Sequence, residues 1–182
     1  MTMRPISRNT EADLLAAMAE VLSYDPSTGH FTWLPQSGKR RAGTRAGAVI
    51  GSGYRQIKFR KQTYLEHRLA WFFAYGCWPS GGVDHINRHR VDNRICNLRE
   101  ATQLQNNFNT PSRGGASKFK GVYREKGQWR ARIKFDNRNK CLGYFNSEEA
   151  AAVAYDAAAT RLAGRFAFTN FPLAIPDPDG GR

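Results

Sequence analysis

The sequence predicts an α+β protein made of two small modules, one of them a three-stranded antiparallel sheet packed on a single helix. Three observations carry that expectation. First, 182 residues suffice for two modest cores, and with 41% apolar and 12% aromatic residues most of the chain should fold. Second, residues 109–118 (NTPSRGGASK) carry Pro, Ser and Gly-Gly but no large apolar side chain, which reads as a flexible tether between modules. Third, QWRARIKF alternates strictly between apolar and cationic residues just ahead of the alanine-rich run SEEAAAVAYDAAATRLAG, a strand followed by a helix that covers it. The expected organisation is an N-terminal helix within 1–23, a mixed module over 24–110, a linker at 111–117, a sheet-and-helix module over 118–172 and a flexible tail at 173–182.

In chain order, residues 10–22 form an amphipathic helix with Thr10 as N-cap, Asp13 in a capping-box-like position, and Leu14, Leu15, Met18, Val21 and Leu22 along one stripe. In YDPSTGHFTW, Asp25-Pro26 and Thr28-Gly29 turn the chain between two extended pieces. Lys39 to Gly47 is a basic, glycine-containing loop. Gly47 to Leu65 is a meander of short strands with turns at Gly51–Gly53 and Arg60-Lys61. His67 to Tyr75 (HRLAWFFAY) is a buried helix ended by Gly76, and His67 reads as a structural histidine. In the last module, FKGVYRE, QWRARIKF and NKCLGYF are three strands. The helix from Ser147 to Ala163 is capped by Asn146 or Ser147, carries Glu148 and Glu149 in its first turn, and stops at Gly164.

Charge narrows the function. Twenty-eight Lys and Arg against fifteen Asp and Glu give +13 and a pI near 10.2, a field suited to a polyanion. The excess is shared: thirteen cations face five acids over 24–110, and twelve face five over 111–171. No apolar run approaches the ~20 residues of a membrane span, and the N-terminus lacks a secretory h-region. Cys77, Cys96 and Cys141 are odd in number and widely spaced, which argues against a disulfide scaffold or a thiolate zinc site and fits a reducing cytoplasm.

Alternation in the last module puts Trp129, Ala131, Ile133 and Phe135 on one face and Arg130, Arg132 and Lys134 on the other. Ala150, Val153, Ala154, Ala157 and Ala158 then let the helix lie close to the apolar face. An exposed row of cations on a sheet can enter a DNA major groove, arginines reading guanine edges and lysines holding phosphates. The motifs GVY, W-x-A-x-I, LG-x-F, EEAA–AYD–AA and NFP over residues 118–172 resemble the DNA-binding domain of plant Apetala-type and ethylene-response transcription factors (AP-two/ERF). That resemblance implies contacts with double-stranded DNA from Lys120, Tyr123, Arg130, Arg132, Lys134 and Lys140.

The central segment VDHINRHRVDNRICNLREATQLQNN (Val83 to Asn107) reads as strand, polar turn, an extended Asn97-Leu98-Arg99-Glu100, and a helix capped by Thr102 that runs through Asn109. Phosphodiester cleavage calls for a divalent ion that neutralises the scissile phosphate and for a base that deprotonates water. Mg²⁺ or Mn²⁺ takes hard oxygen ligands, which Asp84 and Asn106 supply, and His85 can serve as base. Strand geometry sends Asp84 and His85 to opposite faces, so the strand must twist or end there. Spacing alone leaves a polar loop with capping asparagines equally open. HRLAWFF, VDHIN, DNRICNLREAT and QNN resemble the HNH homing-type endonucleases of phages and introns, of the ββα-metal class. That resemblance covers about residues 24–110 and implies His85 as general base, Asp84 and Asn106 as ligands of one ion, Asn97 as the brace of the loop that orients the histidine, and Arg94 and Arg99 as phosphate contacts. The family's Gly-Asn is replaced here by Arg88-His89; if that turn needs a positive φ, the arginine is strained.

Together these readings specify a metal-dependent DNA endonuclease of HNH homing type, targeted by its C-terminal domain and needing no obligate protein partner. Two rivals are a sequence-specific DNA-binding regulator with an inactive HNH module and a basic RNA-binding protein without catalysis.

Overall fold

Turn residues cut the first hundred positions into short antiparallel pairs threaded around two helices. The computed structural model describes residues 8–34, 41–112 and 114–172. The chain divides into two compact units, Met1–Ala101 and Thr102–Arg182.

In the first unit, α1 spans Arg8–Ala19, β1 Leu22–Asp25 and β2 His30–Trp33. The helix is shorter at its end than 10–22, because Leu22 leaves it to pair with Trp33. It also starts before Thr10, whose side chain lies outside the described residues. The apolar stripe still points inward: Met18 and Leu22 are buried beside Phe31, with Leu14, Leu15 and Val21 packed on them. Strands β3 (Ala48–Val49), β4 (Arg55–Phe59) and β5 (Gln62–Leu65) form an antiparallel sheet in that order. The helix α2, Glu66–Tyr75, follows directly and ends where Gly76 turns left-handed, its N–H bonding back to the Phe72 carbonyl.

Glu66 is fully buried, and a buried carboxylate needs charged partners. It has them in Arg55 (Nε to Oε2, 2.7 Å) and Arg45 (Nη2 to Oε1, 3.3 Å), which fix the start of α2 and hence His67. Of the basic loop, Lys39 and Arg40 lie outside the described residues. Strands β6 (Gly82–His85) and β7 (Leu98–Ala101) close the unit as an antiparallel pair, with Asp84 opposite Arg99 and His85 opposite Leu98. Asn97 is the last residue of a 3₁₀ turn, Ile95–Asn97, rather than part of the extended segment.

The second unit opens with α3, Gln103–Phe108, capped by Thr102 in a reciprocal capping box with Gln105. Phe108 is buried with Ile133, Tyr155 and Ala159, so this helix packs with the residues that follow rather than ending a module at 110. Ser117 is buried as well, its hydroxyl donating to Glu148 at 2.6 Å, which anchors the end of the segment read as a tether. Strands β8 (Val122–Glu125), β9 (Gln128–Phe135) and β10 (Arg138–Phe145) form an antiparallel sheet in the order β10-β9-β8. The helix α4, Glu148–Ala163, is capped by Ser147, whose Oγ accepts from Ala150 N.

The helix phase differs from the sequence reading. Ala151, Ala152, Tyr155, Ala158 and Ala159 face the sheet, while Val153 is 57% exposed. Asp156 is buried on the same helix and accepts from Asn170 N, Asn170 Nδ2 and Phe171 N at 2.8–2.9 Å, so the AYD and NFP motifs are two halves of one latch. The tail from 173 lies outside the described residues.

Candidate active site and nucleic-acid face

Local sequence sets the first site. β6 ends at His85, and the alternation of a strand leaves Val83 and His85 buried on one face and Asp84 on the other. The turn at Asn87 then sends the chain through a polar loop back to β7. Asn97 holds this loop. Its Oδ1 accepts from Asn87 N at 3.0 Å, its Nδ2 donates to Asn87 Oδ1 at 3.0 Å and to the Asp92 carbonyl at 2.8 Å, and its own carbonyl accepts from Ile86 N at 2.9 Å. Arg88, at the position where the resembling family has glycine, has φ +65°, the left-handed region that disfavours a side chain.

His85 is 3% exposed. Its Nε2 lies 3.0 Å from Asn93 Oδ1, and its ring sits between Tyr54 (centroids 5.9 Å apart) and His67 (5.1 Å, edge to face at 75°). Burial pushes its pKa below the usual histidine value, against the opposing pull of the Asn93 bond and of Asp84 and Asp92, so the imidazole is neutral near pH 7. His67 is 5% exposed and goes further: burial lowers it to about 3, with His85 and Arg68 adding to the effect. Sequence reasoning gave His67 a structural role but did not place it, Tyr54 or Asn93 against His85; no periodicity links residues so far apart in the chain.

Asp84 receives both Nε and Nη2 of Arg99 on Oδ2, at 2.9 and 2.8 Å. The arginine named for a phosphate thus engages the carboxylate named for a metal. Arg94 likewise forks onto Asp92 (2.8 and 2.7 Å), which holds the Asp92 carboxyl well below its ordinary range. Asn106 stands on α3 in the second unit; its Oδ1 is buried and has no hydrogen-bond partner among the described residues. A buried carboxamide oxygen of this kind is a donor type that a hard divalent ion takes. No group of three or more His, Cys, Asp or Glu able to hold a metal occurs among the described residues.

The second site is the uncovered face of the β8–β10 sheet. Cross-strand register sets Tyr123, Arg130 and Tyr144 side by side, with Arg132 opposite Cys141 and Lys134 opposite Asn139. Tyr123 and Tyr144 are about half exposed, at 44% and 50%. The Arg132 guanidinium stacks over the Tyr123 ring at 4.4 Å. The row is not purely cationic: Glu125 shares this face, and its Oε2 pairs with Arg130 Nη1 at 2.8 Å. Two residues of the sequence reading sit elsewhere. Lys120 donates to the Phe108 carbonyl at 2.7 Å and to the Asn107 carbonyl at 3.3 Å, where a cation complements the C-terminal end of α3. Lys140 registers with buried Ile133 and so belongs to the helix-side face, because the shift between Cys141 and Gly143 reverses the parity of the strand.

Comparisons with known proteins agree with both halves. Residues 64–108 match the model of an HNH endonuclease family. The chain is also similar to the ethylene-responsive transcription factor WRI1 of Arabidopsis thaliana (45% identical over 64 residues, 33% of this chain and 15% of that protein). It is similar to the AP2/ERF and B3 domain-containing transcription repressor TEM1 of the same plant (42% over 77 residues, 41% and 21%). A putative AP2/ERF and B3 domain-containing protein, Os01g0140700 of Oryza sativa subsp. japonica, is 38% identical over 91 residues, 50% of this chain and 29% of that protein. The chain therefore spans less than a third of each of these relatives.

Proposed function

We propose that this protein is a metal-dependent DNA endonuclease of the HNH homing type, with the β8–β10 sheet as its reader of double-stranded DNA. One observation carries the catalytic half: a buried, neutral imidazole, His85, stands at the end of a strand next to a carboxylate, inside the segment that matches the HNH endonuclease model. A neutral histidine near pH 7 is ready to accept a proton from water attacking a phosphodiester in line. Asn97 keeps the loop after His85 in one conformation, which orients the ring. Asp84 and Asn106 are the ligands that would hold one Mg²⁺ or Mn²⁺ ion, and Arg99 aligns the carboxylate. When bound, the ion supplies charge neutralisation at the scissile phosphate and the leaving oxygen. The reading half rests on the half-exposed tyrosines beside Arg130, Arg132 and Lys134, since arginine and aromatic side chains on an open sheet suit base edges and sugar-phosphate alike.

The test is nicking of supercoiled plasmid by wild type and His85→Ala, alongside mobility-shift binding. The reading expects the variant to bind as wild type does while nicking falls to background. Equal nicking by both would refute His85 as base. The strained Arg88 favours a second reading, a DNA-binding regulator whose HNH unit has lost activity; binding without any nicking in Mg²⁺ or Mn²⁺ would select it.

A further inference from the structure

We propose that Asn93 is a positioning residue that selects the tautomer of His85, and that the β1–β2 hairpin holds Asn93 in place for that task. The inference rests on His85 being the base. Asn93 is 1% exposed, and its Oδ1 lies 3.0 Å from His85 Nε2. A carboxamide oxygen only accepts, so this contact requires the proton on Nε2 and makes Nδ1 the basic nitrogen. Asn97 acts on the backbone of the same loop, whereas Asn93 acts on the ring itself.

The hairpin holds the stretch from Asn93 to Ile95 at three points. Tyr24 Oη donates to the Asn93 carbonyl at 2.9 Å, and the Tyr24 ring is stacked on buried Phe31 with centroids 4.8 Å apart. Ile95 N donates to the Pro26 carbonyl at 3.2 Å. Gly29, at φ +73°, lies so close that a Cβ there would fall 2.3 Å from Arg94 N and 2.4 Å from the Asn93 carbonyl carbon. Only glycine allows the turn to seat against this stretch of loop. On its other sides the ring meets His67 and Tyr54, which leaves the imidazole little room to turn over. Asp25-Pro26 and Thr28-Gly29, which look in sequence like ordinary turn residues, thus form the platform under a catalytic histidine's partner.

The test uses the full chain labelled with ¹⁵N in its histidines, the His85 signals being assigned by their loss in His85→Ala. Wild-type His85 at neutral pH should show the Nε2–H pattern of ring nitrogen shifts. Asn93→Leu, close in volume but with no acceptor, should mix the tautomers and lower kcat for plasmid nicking by about 10- to 100-fold with KM for DNA unchanged. Asn93→Asp, which keeps the acceptor, should restore the Nε2–H pattern and most of kcat. A wild-type proton on Nδ1, or Asn93→Leu with unchanged shifts and unchanged kcat, would overturn the proposal. Should Asn93→Leu not fold, the wild-type pattern and Asn93→Asp still decide it. If His85→Ala nicks like wild type, His85 is not the base, while the ring-nitrogen pattern still judges the tautomer claim on its own.

Discussion

Replacing Gly121 by alanine isolates what the GVY motif does physically. Gly121 has φ +77°, and a Cβ there would fall 2.0 Å from Tyr155 Cδ2 and 2.8 Å from the Arg132 carbonyl oxygen. The left-handed backbone costs an L-residue about 1–2 kcal/mol. The overlap with Tyr155, which is 3% exposed and packed with Ile133 and Ala158, adds about 1–3 kcal/mol of overpacking. Loss of chain entropy in the unfolded state returns roughly 0.5–1 kcal/mol. The net is a destabilisation of about 2–4 kcal/mol. With a urea m-value of about 2 kcal/mol per molar, the midpoint of the second unit should fall by about 1–2 M. Gly114→Ala is the control: its φ is +81°, yet among the described residues nothing lies within 4 Å of the added carbon, so it bears only the backbone part. Urea unfolding of the full chain followed by circular dichroism makes the comparison. Equal shifts for the two variants would refute the account, since they differ in the contacts with Tyr155 and the Arg132 carbonyl.

Arg88→Gly relieves a left-handed arginine and should raise stability by about 0.5–1 kcal/mol in the same assay, with nicking no slower than wild type; a loss of stability would show that the turn does not strain the arginine. Arg132→Ala should weaken binding to a cognate duplex by about 1–3 kcal/mol in mobility shifts, and equal loss on every sequence would make it a phosphate contact instead. His67 predicts an acid limit. Its folded pKa of about 3 lies below the unfolded value, so between those limits the unfolded chain binds the extra proton and stability falls as pH is lowered from about 6.5. The slope from one such group reaches about 1.4 kcal/mol per pH unit, and His67→Phe should flatten it; an unchanged slope would contradict the assignment.

Strong local patterns were legible in the sequence. The alternation of QWRARIKF, the caps at Thr102 and Ser147, and the stop at Gly76 each follow from a few neighbouring residues, and the structure has them where they were read. The helix 148–163 existed on paper but its phase did not: a run of alanines carries no size difference by which to tell the buried side. Glu125 escaped notice as a partner of Arg130 because cross-strand register is not written in a single strand. Lys140 was misplaced in face by a one-residue irregularity near Gly143, and Lys120 was named a DNA contact by resemblance because nothing local signals the carbonyls of α3. At the candidate site, the residue types Asp84, His85, Asn97 and Asn106 came from spacing and resemblance. The packing of Tyr54, His67 and Asn93 around the imidazole came from tertiary contacts alone.

The central claim is that a neutral His85 beside a metal-binding carboxylate cuts DNA, and its most direct test is a time course of supercoiled plasmid with wild-type protein in Mg²⁺ or Mn²⁺ and, in parallel, in EDTA. The account predicts conversion to open-circle or linear DNA only with the ion, leaving 5′-phosphate and 3′-hydroxyl ends. Intact plasmid in every lane, with the protein still bound to duplex DNA, would contradict it.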